Sequence, residues 1–174
     1  MLYSILTRDL GLVRARALGA RKEVSKLRSG LEPISLSDVS LVKGQANWRL
    51  TSVFLHSNTI TLARQKKKIT RALNKALALL EKLVQGEEKH PELFDSIEEV
   101  FLYAKSDASE DQAEDLEIIL VSRILFHLGY LGEGDVPEGI LRGALDHRAF
   151  DIASKNKKKI VEVINSGIRT TGLA

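Results

Sequence analysis

Two hydrophobic periods divide the chain. Up to about residue 55, apolar and polar positions alternate in short runs. Leu2–Leu6 (LYSIL) carries β-favouring residues and ends at a turn-like Arg8-Asp9-Leu10-Gly11. From Leu12 to Gly19 the alternation puts Val13, Ala15 and Ala17 on one face and Leu12, Arg14, Arg16 and Leu18 on the other. The small residues suit close packing inside, which turns the two arginines outward together. Ala20–Gly30 reads as a basic loop. Pro33 then opens Ile34–Ser37, again with period two, with an irregularity before Val39–Leu41. Lys43-Gly44-Gln45 signals a turn, and Asn47–Phe54 is rich in Trp, Thr, Val and Phe. Four short strands joined by turns predict a small antiparallel barrel or sheet.

The period then lengthens. From about Thr61 to Gln85, Ile69, Leu73, Ala76, Leu80 and Leu83 recur every three to four residues, as one helical face requires. Gly86 stands at the stop position, and Pro91 where a first helical residue belongs. Leu93, Ile97, Val100 and Ala104 form a second stripe. Ser109 with Gln112 fits a capping box. The helix it introduces, Asp111 to about Tyr130, is apolar nearly all round after Leu116 and is expected at the centre of a bundle. Residues 133–146 read as a loop with one short helix. A last helix is expected from His147 to Asn165, with a loose tail from Ile168. The fold class is therefore α+β: an N-terminal sheet or barrel over residues 1–57, followed by an all-α helical domain over residues 58–174.

Composition narrows the class. With 44% hydrophobic and 28% charged residues the chain is globular, neither disordered nor fibrous. It has no cysteine, which removes disulfides, thiolate zinc sites and a cysteine nucleophile. No basic start leads into an apolar leader, and no run approaches the roughly 18–20 apolar residues that span a bilayer. No membrane partner and a cytoplasmic location are expected.

Charge changes the picture more. The net charge of +3 conceals opposed blocks: residues 1–49 carry 9 basic and 4 acidic groups, residues 50–83 carry 7 and 1, residues 84–138 carry 3 and 15, and residues 139–174 carry 7 and 3. Blocks of this size point to an oriented face for a polyanion. The first basic cluster is Arg14, Arg16, Arg21, Lys22, Lys26 and Arg28; a groove that tracks phosphates needs cations in such a row. The plainer alternative is a pair of solvated arginines guarding an edge strand. The second cluster is Arg64, Lys66, Lys67, Lys68, Arg71 and Lys75, placed just after the sheet, where it could extend the same track. A third, Lys155 with Lys157–Lys159, lies near the end. The acidic run Asp107–Glu117 reads as structural, because carboxylates suit a helix's first turn. His56, His90, His127 and His147 show no metal-ligand spacing, and His127 reads as a core residue. Trp48 and Tyr3 read as core aromatics. None of the HExxH, GxSxG, GxxxxGK[ST] or GxGxxG patterns occurs. No catalytic residue, metal or cofactor is assigned, and a non-enzymatic role is expected.

These residues carry a resemblance. Leu6-Thr7-Arg8-Asp9-Leu10-Gly11-Leu12-Val13, then Ala17-Leu18-Gly19-Ala20-Arg21, then Leu31-Glu32-Pro33 resembles, in order and spacing, the N-terminal domain of the RecO recombination mediator family. His90-Pro91-Glu92-Leu93-Phe94 and Leu125–Leu131 (LFHLGYL) are similar to that family's helical stretches. The resemblance implies an OB-fold followed by a helical domain, and non-catalytic work on DNA in the bacterial cytoplasm at the nucleoid. That work is binding of single- and double-stranded DNA, annealing of strands coated by single-strand-binding protein through its C-terminal tail, and assistance to RecR in loading RecA. The DNA-binding residues it implies are Arg14, Arg16, Arg21, Lys22, Lys26 and Arg28, with Lys66, Lys67, Lys68 and Arg71. Two departures stand out. The family's barrel has a strand before the one at Leu2, so either this barrel is open, or its first strand lies before the residue at which this sequence starts, or a partner supplies it. Many members also carry a four-cysteine zinc knuckle, which this chain cannot form. An OB-fold RNA-binding accessory protein and a protein-interaction scaffold are the alternatives.

Overall fold

The computed structural model describes residues 1–17, 31–32, 34–45, 47–58, 62, 64–84 and 86–172. A four-stranded sheet leads: β1 (Leu2–Thr7), β2 (Gly11–Ala17), β3 (Ser35–Lys43) and β4 (Trp48–Asn58). The strand order is β1-β2-β4-β3. β1 and β2 form an antiparallel hairpin with Ser4 opposite Arg14 and Leu2 opposite Arg16. Its turn is closed locally: Leu10 N donates to Thr7 Oγ1, which donates to the carbonyl of Gly11, each at 3.0 Å. Gly11 takes φ +71°. β2 runs parallel to β4, with Ala15, Arg16 and Ala17 beside Trp48, Arg49 and Leu50. β3 and β4 pair antiparallel with two irregularities. Ala15, Ala17 and Leu50, with Tyr3, Ile5, Val39, Leu41, Trp48 and Val53 around them, form a small core of the sheet's own.

The sequence alternation holds on β2, where Val13, Ala15 and Ala17 are buried and Arg14 and Arg16 exposed. On β4 it breaks. Ser40 faces Ser52 but Leu41 faces Leu50, so Thr51 is an extra, bulged residue. Leu50 points inward; past the bulge the parity reverses, Val53 turns in, and Ser52 and Phe54 turn out.

The helices follow as α1 (Lys67–Leu83), α2 (Pro91–Ser106), a 3-10 turn (Glu110–Gln112), α3 (Ala113–His127), α4 (Glu138–Leu141) and α5 (His147–Thr170). α3 is the hub, packed against all the others and buried from Ile118 to Leu125 without a polar face. Gln112 Oε1 accepts from Ser109 N at 2.9 Å, as the capping-box spacing requires. Arg123, fully enclosed, is satisfied by Glu99 Oε2 (2.7 Å) and the carbonyls of Ile140 and Gly143 (2.9 Å each). It thereby ties α3 to α2 and to the C-terminal end of α4. Asp146 caps α5 by accepting from Arg148 N and Ala149 N, which holds its carboxyl below the usual range.

Three expectations need correction. The sheet is not wholly antiparallel as the short strands suggested, because β2 pairs parallel with β4 across the segment that links them. α5 continues through Ile168 to Thr170, because Ile164, Gly167 and Ile168 still find the core, so the loose tail expected from Ile168 is helical for three more residues. The helix expected from about Thr61 is interrupted at Lys66, with Leu62, Arg64 and Gln65 helical before it and α1 following from Lys67.

Sheet and helices meet along β1 and the hairpin turn. Arg8 grips Asp95 of α2 with two bonds, at 2.7 and 2.9 Å. Ser4 Oγ donates to Glu81 of α1 at 2.6 Å, and Trp48 Nε1 to Glu87 at 2.7 Å. Leu6, Leu12 and Leu36 pack on the helical core.

Candidate nucleic-acid interface

On the outer face of the sheet, arginines gather with no ion-pair partner among the described residues. Register puts Arg16 of β2 directly beside Arg49 of β4, with Arg14 two residues back on β2. At about 4.8 Å between strands and 3.3 Å per residue, these three Cα atoms lie within roughly 10 Å. All three side chains are exposed, and none makes a hydrogen bond or ion pair with another described residue. Arg49 is absent from the clusters singled out in the sequence. Its isolation there hid it, and only the parallel β2–β4 pairing brings it to Arg16. Arg21, Lys22, Lys26 and Arg28 lie outside the described residues, as does the basic loop expected at Ala20–Gly30.

The same face carries aromatic rings. Phe54 is 66% exposed, and His56 packs edge-on against it with centroids 5.3 Å apart. His56 Nε2 lies 2.9 Å from Asp38 Oδ2, and Asp38 stands opposite Phe54 in the register. Trp48, by contrast, is half-buried in the sheet core, with Lys43 Nζ 5.3 Å from its ring centre.

The second cluster divides on inspection. Lys66 turns its ammonium to the last carbonyls of α2, those of Ala104, Lys105 and Ser106, at 3.2 to 3.4 Å. It neutralises the negative end of that helix, a structural task that competes with phosphate. Lys75 pairs with Glu117 at 3.2 Å. Lys67, Lys68 and Arg71 present exposed side chains with no ion-pair partner within 4 Å among the described residues. The acidic run sits between this cluster and the third. Glu110 accepts from the backbone N–H of Lys68, capping α1 from another element. Glu114 binds Lys157, which holds its carboxyl below the usual range, with smaller help from Lys68 and Lys75. Lys66, Lys75 and Lys157 are therefore met internally. The arginines of the sheet have no such partner among the described residues.

His127 is mostly enclosed at the end of α3, and burial depresses its pKa. Among the described residues no group of three or more His, Asp or Glu side chains could hold a metal ion, and no helix is long and apolar enough to cross a membrane.

No family model matches the chain. Over 44 residues, a quarter of its length, it is 46% identical to the DNA repair protein RecO of Synechococcus sp. (strain JA-2-3B'a(2-13)). That match spans 15% of the relative, so the likeness is partial and points to the RecO family only in the stretch it covers.

Proposed function

We propose that the chain is a RecO-like DNA-binding protein of recombinational repair that holds and anneals single strands without bond-making chemistry. One observation carries the reading: Arg14, Arg16 and Arg49 stand together on an exposed sheet face with no ion-pair partner among the described residues. Two phosphate chains repel each other, and a fixed positive surface lowers that repulsion without ATP or a nucleophile. The partial likeness to a DNA repair protein supports the same reading.

We read the sheet as part of an OB-fold barrel, with residues 1–57 as the binding unit and 58–174 as its helical support. The parallel β2–β4 pair and the sheet's private core favour this over a flat layer. In OB-folds the face of two adjacent strands receives oligonucleotides. Arg21, Lys22, Lys26 and Arg28 would add further phosphate contacts, and Lys67, Lys68 and Arg71 would serve a second strand on α1. RecR, the C-terminal tail of single-strand-binding protein and, through them, RecA are the partners this role would need.

The test is an annealing assay on complementary oligonucleotides, bare and coated with single-strand-binding protein. The double variant Arg14→Glu/Arg16→Glu should anneal neither, with its melting temperature unchanged because both side chains are solvated. Annealing at the wild-type rate would reject these residues as the interface. Stronger competition by matched RNA than by DNA would favour the RNA-binding alternative.

A further inference from the structure

We infer that Phe54 is a stacking platform for one base of a bound single strand, while Arg14, Arg16 and Arg49 hold its neighbouring phosphates. The inference rests on the nucleic-acid reading above and specifies how that face grips its ligand.

Single exposed apolar residues are ordinary on protein surfaces. Phe54 differs in how it comes to be exposed and in what surrounds it. Its place in the sequence shares parity with Trp48 and Leu50, both turned to the sheet core; the bulge at Thr51 reverses that and turns the ring out. The ring is propped on one side by His56, which Asp38 holds in turn. A buttressed ring has less rotamer freedom to lose when a ligand lands on it.

The neighbours select the ligand. Between Phe54 and the arginines lies a polar row, with Ser52 Oγ donating to Ser40 Oγ at 2.7 Å and Thr51 Oγ1 to the carbonyl of Ser40 at 3.0 Å. This row separates Phe54 from the other exposed apolar side chains beside the arginines, Leu2 and Val42, so the ring is not part of a continuous patch for a protein partner. The Asp38 carboxylate beside it repels phosphate but not the face of a neutral base. About five residues of strand separate Phe54 from Arg49, roughly 15 Å. A short single strand covers that span with its backbone over the arginines and one base over the ring. Stacking of this kind accepts every base, as sequence-independent annealing requires.

The experiment is a binding cycle followed by fluorescence anisotropy. Wild type and Phe54→Ala are each titrated with labelled oligothymidylate and with a matched oligonucleotide carrying tandem abasic sites. Phe54→Ala should bind oligothymidylate about ten-fold more weakly, with the salt dependence of binding unchanged. Wild type should lose a similar factor on the abasic strand, and Phe54→Ala should no longer tell the two strands apart. Phe54→Tyr should restore the discrimination. Equal binding of oligothymidylate by Phe54→Ala and wild type would overturn the inference while leaving the arginine interface standing. So would an equal loss on both strands, or a molecular mass by light scattering that halves in Phe54→Ala and marks the ring as a contact between copies. If wild type ignores both oligonucleotides at low salt, the nucleic-acid reading itself has failed.

Discussion

Two cations that look alike in the sequence do different work. Lys66 donates to three carbonyls at the end of α2, whereas Arg16 faces solvent beside Arg49. Lys66→Met should therefore destabilise the protein, by about 1–2 kcal/mol on the scale of hydrogen bonds to charged groups, and leave oligonucleotide affinity unchanged; chemical denaturation and anisotropy on the same variant check both halves. Arg16→Ala should do the reverse. Arg123 is the residue on which the helices lean most. Arg123→Leu strips Glu99 and the carbonyls of Ile140 and Gly143 of their donor. Glu99 is 39% exposed and can recover some hydration. The expected loss is therefore about 2–3 kcal/mol, below the full value for breaking a buried pair, measured by urea unfolding.

At the scale of elements, what was legible in the sequence was whatever depends on near neighbours. The period-two run of β2, the outward arginines, the Pro91 helix start and the Ser109–Gln112 box all follow from interactions a few residues long. What was not legible depends on pairing across the chain. The bulge at Thr51 is fixed by the β3–β4 register, so nothing local announces that Phe54 is turned out. Glu110 capping α1 and Arg49 meeting Arg16 are likewise contacts between distant segments. The hairpin turn offers a test of how closely the sheet is docked. A Cβ on Gly11 would fall on the backbone of Glu88, at a φ of +71° that side chains avoid. Gly11→Ala should cost more than the roughly 1–2 kcal/mol of left-handed strain alone, and amide exchange in β1 and β2 should rise with it. A loss no larger than the strain term would mean that the loop before α2 yields freely.

For the whole molecule, charge is sorted by position. Glu117 meets Lys75 of α1 and Glu114 meets Lys157 of α5, whereas Lys67, Lys68, Arg71 and the sheet's arginines have no ion-pair partner among the described residues. Protonation of the enclosed His127 gives this arrangement a pH signature. Burial lowers its pKa below the ordinary 6.5, with Arg123, Arg142 and His90 acting in the same direction and Glu92 opposing. The unfolded chain then binds the proton before the folded one does, so stability falls as pH drops below about 6.5. Thermal melts from pH 7.5 to 5 should show this decline, and His127→Gln should flatten it. An equal slope in the variant would assign the decline to other groups.

The central claim is that unneutralised arginines on the sheet face bind phosphate chains. Its most direct test is the affinity for a short single-stranded oligonucleotide measured across a salt series. Three phosphate contacts should give a log–log slope of about −2, reduced by about 0.7 for each of Arg14, Arg16 and Arg49 changed to alanine. Affinity that is absent at low ionic strength, or indifferent to both salt and these arginines, would contradict the account.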